Sequence, residues 1–461
     1  MSLSEPAPKE RLNPLIWRVA LVALCGALLA QIDATIVNVS LSSLAFDLGV
    51  RFQQIQWVVS GYLLALVFAI PLTGWLVERV GAKSVYLGGF AAFTGASVCC
   101  GLAWSAPVLI GFRVLQGLCG GVLIPMAQMM IARTAGAKMT KVAGIMSVPV
   151  LLAPVFGPVL AGMIVQHLSW RWLFFVNIPI GCLGFLLAVW LLPPEKGNDQ
   201  PKALDWAGLA LLSPGLALLL YGTTAITSVP GIITLIAGAA LIVTFICLAR
   251  QKGAQALIDP RLFCHTQFSC ATAIQFLSNG VLFASQVLIP AYLITVCSRS
   301  PSQAGALLTA MGLGMMVTFP LTGWLCEQFG IRRVAASGAW LAAIATLPLI
   351  FLTLAGYQAF ILVIALFLRG AGMSAVSLPA MTAAYSSVSK AELPMATTSV
   401  NLVQRLGGPV ITTLFTLILA WQTTAKGTPS PDTFMWSFVL LCLLNIGIAL
   451  IALRLPRQIA D

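Results

Sequence analysis

PLTGWLVERVGAKSV (Pro71–Val85) and PLTGWLCEQFGIRRV (Pro320–Val334) open on the same six residues, 249 positions apart (320 minus 71). The match runs past the identity: Glu78 aligns with Glu327, Gly81 with Gly330 and Lys83 with Arg332. Six identical residues extended by matched charge and glycine mark an internal duplication. Two further pairs keep the order and the offset. LQGLCGGVLIPM (Leu115–Met126) resembles LRGAGMSAVSLPAM (Leu368–Met381), and FGPV (Phe156–Val159) resembles GGPV (Gly407–Val410).

The duplicated unit belongs in a membrane. The chain has 461 residues, 59% hydrophobic and 8% charged, whereas a soluble domain carries about a quarter charged residues. Apolar runs such as Trp17–Asn38, Trp57–Val77 and Val108–Ala132 approach or exceed the roughly 20 residues that carry a helix across hydrocarbon. Only helices and closed barrels satisfy the backbone in lipid, and the short alternating segments of a barrel are absent. The sequence predicts fourteen spans, near 16–40, 54–77, 84–103, 107–132, 141–166, 172–192, 205–224, 229–250, 266–295, 303–326, 334–355, 358–386, 393–421 and 433–454. Spans one to six form one copy and nine to fourteen the other, a parallel repeat about an axis along the membrane normal. Spans seven and eight form an inserted hairpin. The expected class is therefore an all-α polytopic membrane protein of two six-helix bundles plus two inserted helices. The expected units are residues 1–200, 201–255 and 256–461, parted by PPEKGNDQPKALD (Pro193–Asp205) and RQKGAQALIDPRLF (Arg250–Phe263).

Charge sets the expected orientation. With both termini cytoplasmic, the inner segments hold eighteen Lys and Arg and the outer loops only Arg51, Arg171, Arg299 and Lys426, as the positive-inside rule requires. The net charge of +12 is spread over short loops, so it implies no nucleic-acid partner. The first span is too long for a signal-peptide core and holds Asp33, so it is expected to stay. Eleven cysteines without a CxxC, and two isolated histidines, suggest packing and no metal site. No GxxxxGK[ST] loop is present, so ATP is not the direct energy source. No HExxH, no GxSxG and no paired embedded carboxylates suggest an enzyme, and no cofactor is implied.

Few residues inside the spans can carry chemistry. Asp33 is the one acid at mid-span. An acid there must be paired, hydrated or protonated, which makes it a functional candidate. Burial raises its pKa and a nearby cation lowers it, so its protonation can follow its surroundings. Its bland alternative is a structural contact helped by Gln31 or Asn38. Arg113, Arg369 and Arg405 are also embedded. In span four Arg113, Gln116, Gly117, Gly120 and Gly121 share one helix face, where glycines admit a second helix. Asp33 and Arg113 are the embedded opposite charges of the first half, and they are expected to meet. In VPVLLAPVFGPVLAG (Val148–Gly162), Pro149, Pro154 and Pro158 each remove a backbone donor and favour a bend. The segment Gly74–Lys83, with Glu78, Arg79 and Lys83, and its copy with Glu327, Arg332 and Arg333, read either as solvated anchors or as a charge latch between conformations.

QIDATIVNVSL (Gln31–Leu41), GWLVERVGAK (Gly74–Lys83), LIGFRVLQGLCGG (Leu109–Gly121) and APVFGPVLAG (Ala153–Gly162) occur in order. Together with the duplication and the inserted hairpin they resemble the major facilitator superfamily, specifically its fourteen-span drug:proton antiporters, over nearly the whole chain. The resemblance implies proton coupling by Asp33, in the first-span motif, and by Arg113, with Gly117, in the fourth-span motif. It implies a cytoplasmic-loop motif of Gly74, Glu78, Arg79, Gly81 and Lys83. It also implies an antiporter motif holding Gly157, Pro158 and Gly162, beside Pro154. Glu78 stands where that loop usually carries Asp, and span five lacks one usual early glycine. The second half has no embedded acid, which weakens a dication substrate and leaves monocations, neutral amphiphiles and anions open.

The expected protein is a monomeric proton-driven exporter of amphipathic compounds in the cytoplasmic membrane. Its cavity lies between the halves, with Gln31, Asn38, Tyr62, Gln128, Gln275, Asn279, Gln286, Arg369, Asn401, Gln404 and Arg405 as candidate lining. Two alternatives stay open: export of a metabolite or organic anion, and an uncoupled lipid-handling or signalling protein.

Overall fold

The computed structural model describes residues 13–195, 203–226, 228–426 and 431–457. Helices account for nearly all of them, and no strand occurs among the described residues.

The first bundle holds α1 (Pro14–Val39), α2 (Leu41–Asp47), α3 (Phe52–Ile55), α4 (Trp57–Ala69), α5 (Leu72–Val80), α6 (Ala82–Gly101), α7 (Ala106–Ala135), α8 (Met139–His167), α9 (Trp172–Phe175) and α10 (Asn177–Leu191). The inserted hairpin is α11 (Trp206–Thr224) and α12 (Val229–Lys252). The second bundle holds α13 (Thr266–Thr295), α14 (Pro301–Phe329), α15 (Ile331–Ile344), α16 (Leu347–Ala355), α17 (Ala359–Ser386), α18 (Leu393–Lys426) and α19 (Pro431–Ala452). Among the described residues thirteen helical stretches are long and apolar enough to cross a membrane. The fifth expected span is α8, 29 residues long. Counted with those thirteen it makes an even number, which would bring the start of α1 and the end of α19 to one side; that side is here called the terminal face, opposite the far face.

Two expected spans are broken. Span two is divided between α4 and α5 at Pro71, and span eleven between α15 and α16 beside Pro348. Proline lacks the N–H that would continue the ladder. Span five, with three prolines, nevertheless runs as one helix. Spans nine and twelve are single helices of 30 and 28 residues.

The duplication is visible in backbone and side chains. Gly81 and Gly330 have φ of 83° and 81°, a left-handed geometry that glycine adopts without strain. Each ends one helix and starts the next. Two residues on, the same capping contact forms twice. Lys83 Nζ donates to the carbonyls of Val189 (2.8 Å) and Leu192 (2.7 Å) at the end of α10. Arg332 Nε donates to the Leu455 carbonyl beyond α19 (2.6 Å). A cation there satisfies carbonyls that a helix end leaves open.

The hairpin binds both bundles through α11. Ser213 Oγ donates to the Phe68 carbonyl (2.9 Å), and Thr413 Oγ1 donates to the Thr223 carbonyl (3.1 Å). Helix α12 packs on α11 and leaves Ile232, Ile233, Ile236 and Val243 exposed, as a lipid-facing helix does.

Candidate functional site

The far-face half of the first bundle encloses a polar cluster. Asp33 on α1 and Arg113 on α7 are both essentially inaccessible, at 0% and 1% exposure. Arg113 Nη1 lies 2.7 Å from Asp33 Oδ2. Gln116 Nε2 (3.0 Å) and Asn177 Nδ2 (2.8 Å) donate to Asp33 Oδ1. Both amides also donate to Ser97 Oγ at 3.0 Å, and Ser97 Oγ donates to the Phe174 carbonyl. Arg113 donates further to Gln116 Oε1 (2.7 Å) and to the Val58 carbonyl (3.1 Å). Its guanidinium lies 4.1 Å from the centre of the Tyr62 ring. An isolated carboxylate in hydrocarbon costs several kcal/mol, and a partner with further hydrogen bonds offsets that.

Glycine makes this approach possible. A Cβ on Gly117 would stand 2.4 Å from the Tyr62 carbonyl, and one on Gly121 2.2 Å from the Leu66 carbonyl. Helix α7 therefore lies directly on α4, and Arg113 emerges from that seam. On the other side a Cβ on Gly157 of α8 would stand 2.6 Å from Thr35 Oγ1, two residues from Asp33. Gly162 has open space, and the side chains of Pro154 and Pro158 lie outside the described residues.

The structure thus joins Asp33 to Arg113 but replaces the expected helpers. Asn38 is exposed and donates to its own helix at Ala34. Gln116, Asn177 and Ser97 serve instead.

The equivalent position in the second bundle is built differently. Arg369 stands where the repeat places Gln116 (369 minus 116 is 253), and Ser285 where it places Asp33 (285 minus 33 is 252). Arg369 is fully buried. It donates to Ser285 Oγ (2.7 Å) and to Thr346 Oγ1, and its Nε has no hydrogen-bond partner.

The bundles meet at the terminal face. Gln128 Oε1 accepts from Tyr385 (2.9 Å) and Asn401 (2.7 Å). Thr140 and Thr382 share a hydrogen bond of 2.7 Å, and Lys141 lies 3.0 Å from Glu327. The repeated PLTGWL glycine sits at this junction twice: Gly74 against the Pro394 carbonyl, Gly323 against Lys141 Cα. Of the residues read as a latch, Glu327 bridges the bundles, Lys83 and Arg332 cap helices within their own bundle, and Arg79 lies 5.2 Å from the Trp75 ring. Glu78 borders a small cavity with Asp205, Leu257 and Met395. Arg333 lies in the first turn of α15.

The candidate cavity residues divide. Gln275 Nε2 donates to the Ser377 carbonyl (2.8 Å), so it and Arg369 are held inside the second bundle, while Gln128 and Asn401 belong to the closed junction. Tyr62 is buried; Gln31, Asn279, Gln404 and Arg405 are half-buried; Gln286 is exposed. Arg405 on α18 lies within electrostatic range of Tyr62 across the interface.

A family model described as the Major Facilitator Superfamily matches residues 23–250 and 268–459. A Mycobacterium tuberculosis protein named multidrug resistance protein B homolog is 33% identical over 428 residues, covering 90% of this chain and 78% of that one. The multidrug export protein EmrB of Escherichia coli is 30% identical over 338 residues, covering 72% and 66%. Among solved structures, a double-tryptophan mutant of XylE superposes with a TM-score of 0.69 at 15% identity, covering 97% and 98%. The human organic anion transporter MFSD10 superposes at 0.65 and 15%, covering 94% and 100%; at such identities the likeness is one of fold. With two six-helix bundles, an inserted hairpin and these matches, the chain is a multi-pass membrane transporter that belongs to the Major Facilitator Superfamily.

Proposed function

We propose that the chain is a secondary active exporter of amphipathic compounds, driven by inward proton movement through alternating access. The observation that carries the reading is the buried Asp33–Arg113 pair in a bundle that is hydrogen-bonded to its partner bundle at the terminal face. Asp33 can hold a proton or hold Arg113, not both fully. When a proton neutralises Asp33, Arg113 keeps the Gln116 oxygen, the Val58 carbonyl and the Tyr62 ring as partners. The cation is then not orphaned. Loss of the ionic contact loosens α1 against α7, and α1 also packs on α8, which reaches the junction at Lys141. Proton occupancy and bundle contact thereby share one path of helices.

The units 1–200, 201–255 and 256–461 are proposed as two rocking bundles and a hairpin spanning them. The terminal face is proposed to be cytoplasmic, in the inner membrane, with the protein monomeric. The names of the relatives, multidrug resistance and multidrug export, support an efflux substrate. The test is transport in proteoliposomes under an imposed pH gradient, comparing wild type with Asp33→Asn. Gradient-driven uphill movement lost in the variant supports the reading. Equal transport by both proteins overturns the coupling role of Asp33.

A further inference from the structure

The charge balance between the bundles is one-sided. Asp33 is the acid embedded at mid-span, and its oxygens already accept from Arg113, Gln116 and Asn177 with no exposure. It presents nothing to a molecule between the bundles. The described acids Asp47, Glu78, Glu195, Asp205, Asp259, Glu327, Glu392 and Asp432 stand at helix ends or loops. Among the described residues, two cations embedded in the spans stand without an acid: Arg369 and Arg405. Arg369 is fully enclosed and held by hydroxyls. Arg405 differs. It is half-buried, twelve residues into α18 (405 minus 393), and among the described residues it makes no hydrogen bond or ion pair. Across the interface stands Tyr62, whose ring carries Arg113. Gln404 is its half-buried neighbour, and Asn279 lies against Gly408 one turn along.

A guanidinium at mid-membrane without a counter-charge is expensive, and such groups line paths or bind charged partners. Its planar donors match a carboxylate or sulfonate in two-point contact. From Arg405 we infer that the transported molecule is an aromatic or otherwise amphipathic monoanion whose acidic group is received by Arg405 and whose apolar body lies toward Tyr62. This rests on the exporter reading above and specifies its substrate class. Tyr62, fully enclosed here, feels the charge of Arg405 and carries Arg113 on its ring, so cargo held at Arg405 would lie beside the wall of the Asp33 cluster. Export of a monoanion against entry of a proton moves net positive charge inward in both steps. An inside-negative potential then drives the cycle as well as the pH gradient does.

The test uses the full-length protein in proteoliposomes and two probes of one ring system, naphthalenesulfonate and trimethyl(naphthyl)ammonium, measured by mass spectrometry of the vesicle contents. Binding of each is read separately by tryptophan fluorescence in detergent. The proposal expects pH-driven export of the sulfonate, stimulated by an inside-negative potassium diffusion potential. Arg405→Gln raises the sulfonate's half-saturating concentration at least tenfold in both binding and transport, and Arg405→Lys restores part of it. An unchanged melting temperature separates this from misfolding. If the ammonium probe is exported and the sulfonate is not, or if Arg405→Gln leaves the sulfonate's affinity unchanged, the substrate proposal is overturned while the exporter reading stands. If wild type binds the sulfonate but moves neither probe under either gradient, the exporter reading is what fails.

Discussion

Lys141 and Glu327, 3.0 Å apart, tie the first turn of α8 to the last turn of α14 and so join the two bundles at the terminal face. Both side chains are more than a third exposed, so the pair contributes at most about 1 kcal/mol to stability. Its weight lies in the balance between two arrangements, where such an energy shifts the populations several-fold. Glu327→Gln should leave the melting temperature almost unchanged. It should also raise the maleimide labelling rate of a cysteine placed at Thr140 in a cysteine-free background. The exchanged pair Lys141→Glu with Glu327→Lys should bring the rate back. Identical labelling in all three proteins would show that the pair does not bias closure.

The two PLTGWL glycines should differ in tolerance, although they are repeat equivalents. A Cβ on Gly323 would stand 2.4 Å from Lys141 Cα, whereas one on Gly74 would stand 3.3 Å from the Pro394 carbonyl. Backbone cannot yield as a side chain can, so Gly323→Ala must part α14 from α8. Gly74→Ala asks α5 and α18 to give by a few tenths of an ångström. Overpacking of this kind costs about 1–3 kcal/mol, here charged against the closed state alone. Gly323→Ala is expected to abolish transport and expose the Thr140 cysteine, and Gly74→Ala to slow transport by less than about threefold. Equal effects would deny the asymmetry of the junction.

The buried pair invites a double-mutant cycle. Arg113→Leu leaves the Asp33 carboxylate with amide donors alone and should lower stability by about 3–5 kcal/mol. Adding Asp33→Asn removes the stranded charge, so the double variant should be more stable than Arg113→Leu. Asn177→Leu deletes one donor to Oδ1 and one to Ser97, and should cost about 1–3 kcal/mol. Thermal unfolding in detergent, read as a ranking of the four proteins, checks this. A double variant no more stable than Arg113→Leu would mean that Asp33 is not charged in the resting state.

The duplication, the spans and the Asp33–Arg113 pairing were legible because charge is scarce in apolar helices and proline and glycine interrupt them. Asn177 and Ser97 were not. Small polar side chains are common in spans because they can bond to their own helix, as Ser147 does to Ala143 and Thr244 to Ala240. One such residue therefore carries no signal until a second helix is placed beside it. Gln116 could be assigned to the face of Arg113, but its reach to Asp33 depends on how closely α7 and α1 pack. The candidate cavity residues failed to separate for a similar reason. Gln275 and Gln404 have the same chemistry, and only the packing of α13 on α17 turns Gln275 toward the Ser377 carbonyl.

At the base of the inserted hairpin, Asp205 caps α11 through Gly208 N (2.9 Å), accepts from Leu257 N (3.2 Å) and pairs with Lys252 Nζ at 2.5 Å. Burial opposes ionisation of this carboxyl, but Lys252 and the two amides outweigh it and hold Asp205 below the usual carboxylate range. A depressed folded-state pKa means that the contribution is complete above the unfolded value, about 3.9. It is lost as pH falls through the lower folded value. The base should thus be intact from neutral pH to about pH 4 and loosen only below it. Amide exchange at Gly208 and Leu257 should rise in that acid window and not before. Lys252→Met removes the cation that lowers the pKa, so the transition should move to higher pH. Asp205→Ala should show fast exchange at every pH. Asp205 also borders the cavity shared with Gly74 and Met395, where α5 meets α18. A loosened base should therefore weaken the closed junction too, and Asp205→Ala should raise labelling of the Thr140 cysteine at neutral pH. Fast exchange at the base with unchanged labelling would show that the hairpin merely rests on the junction and does not brace it.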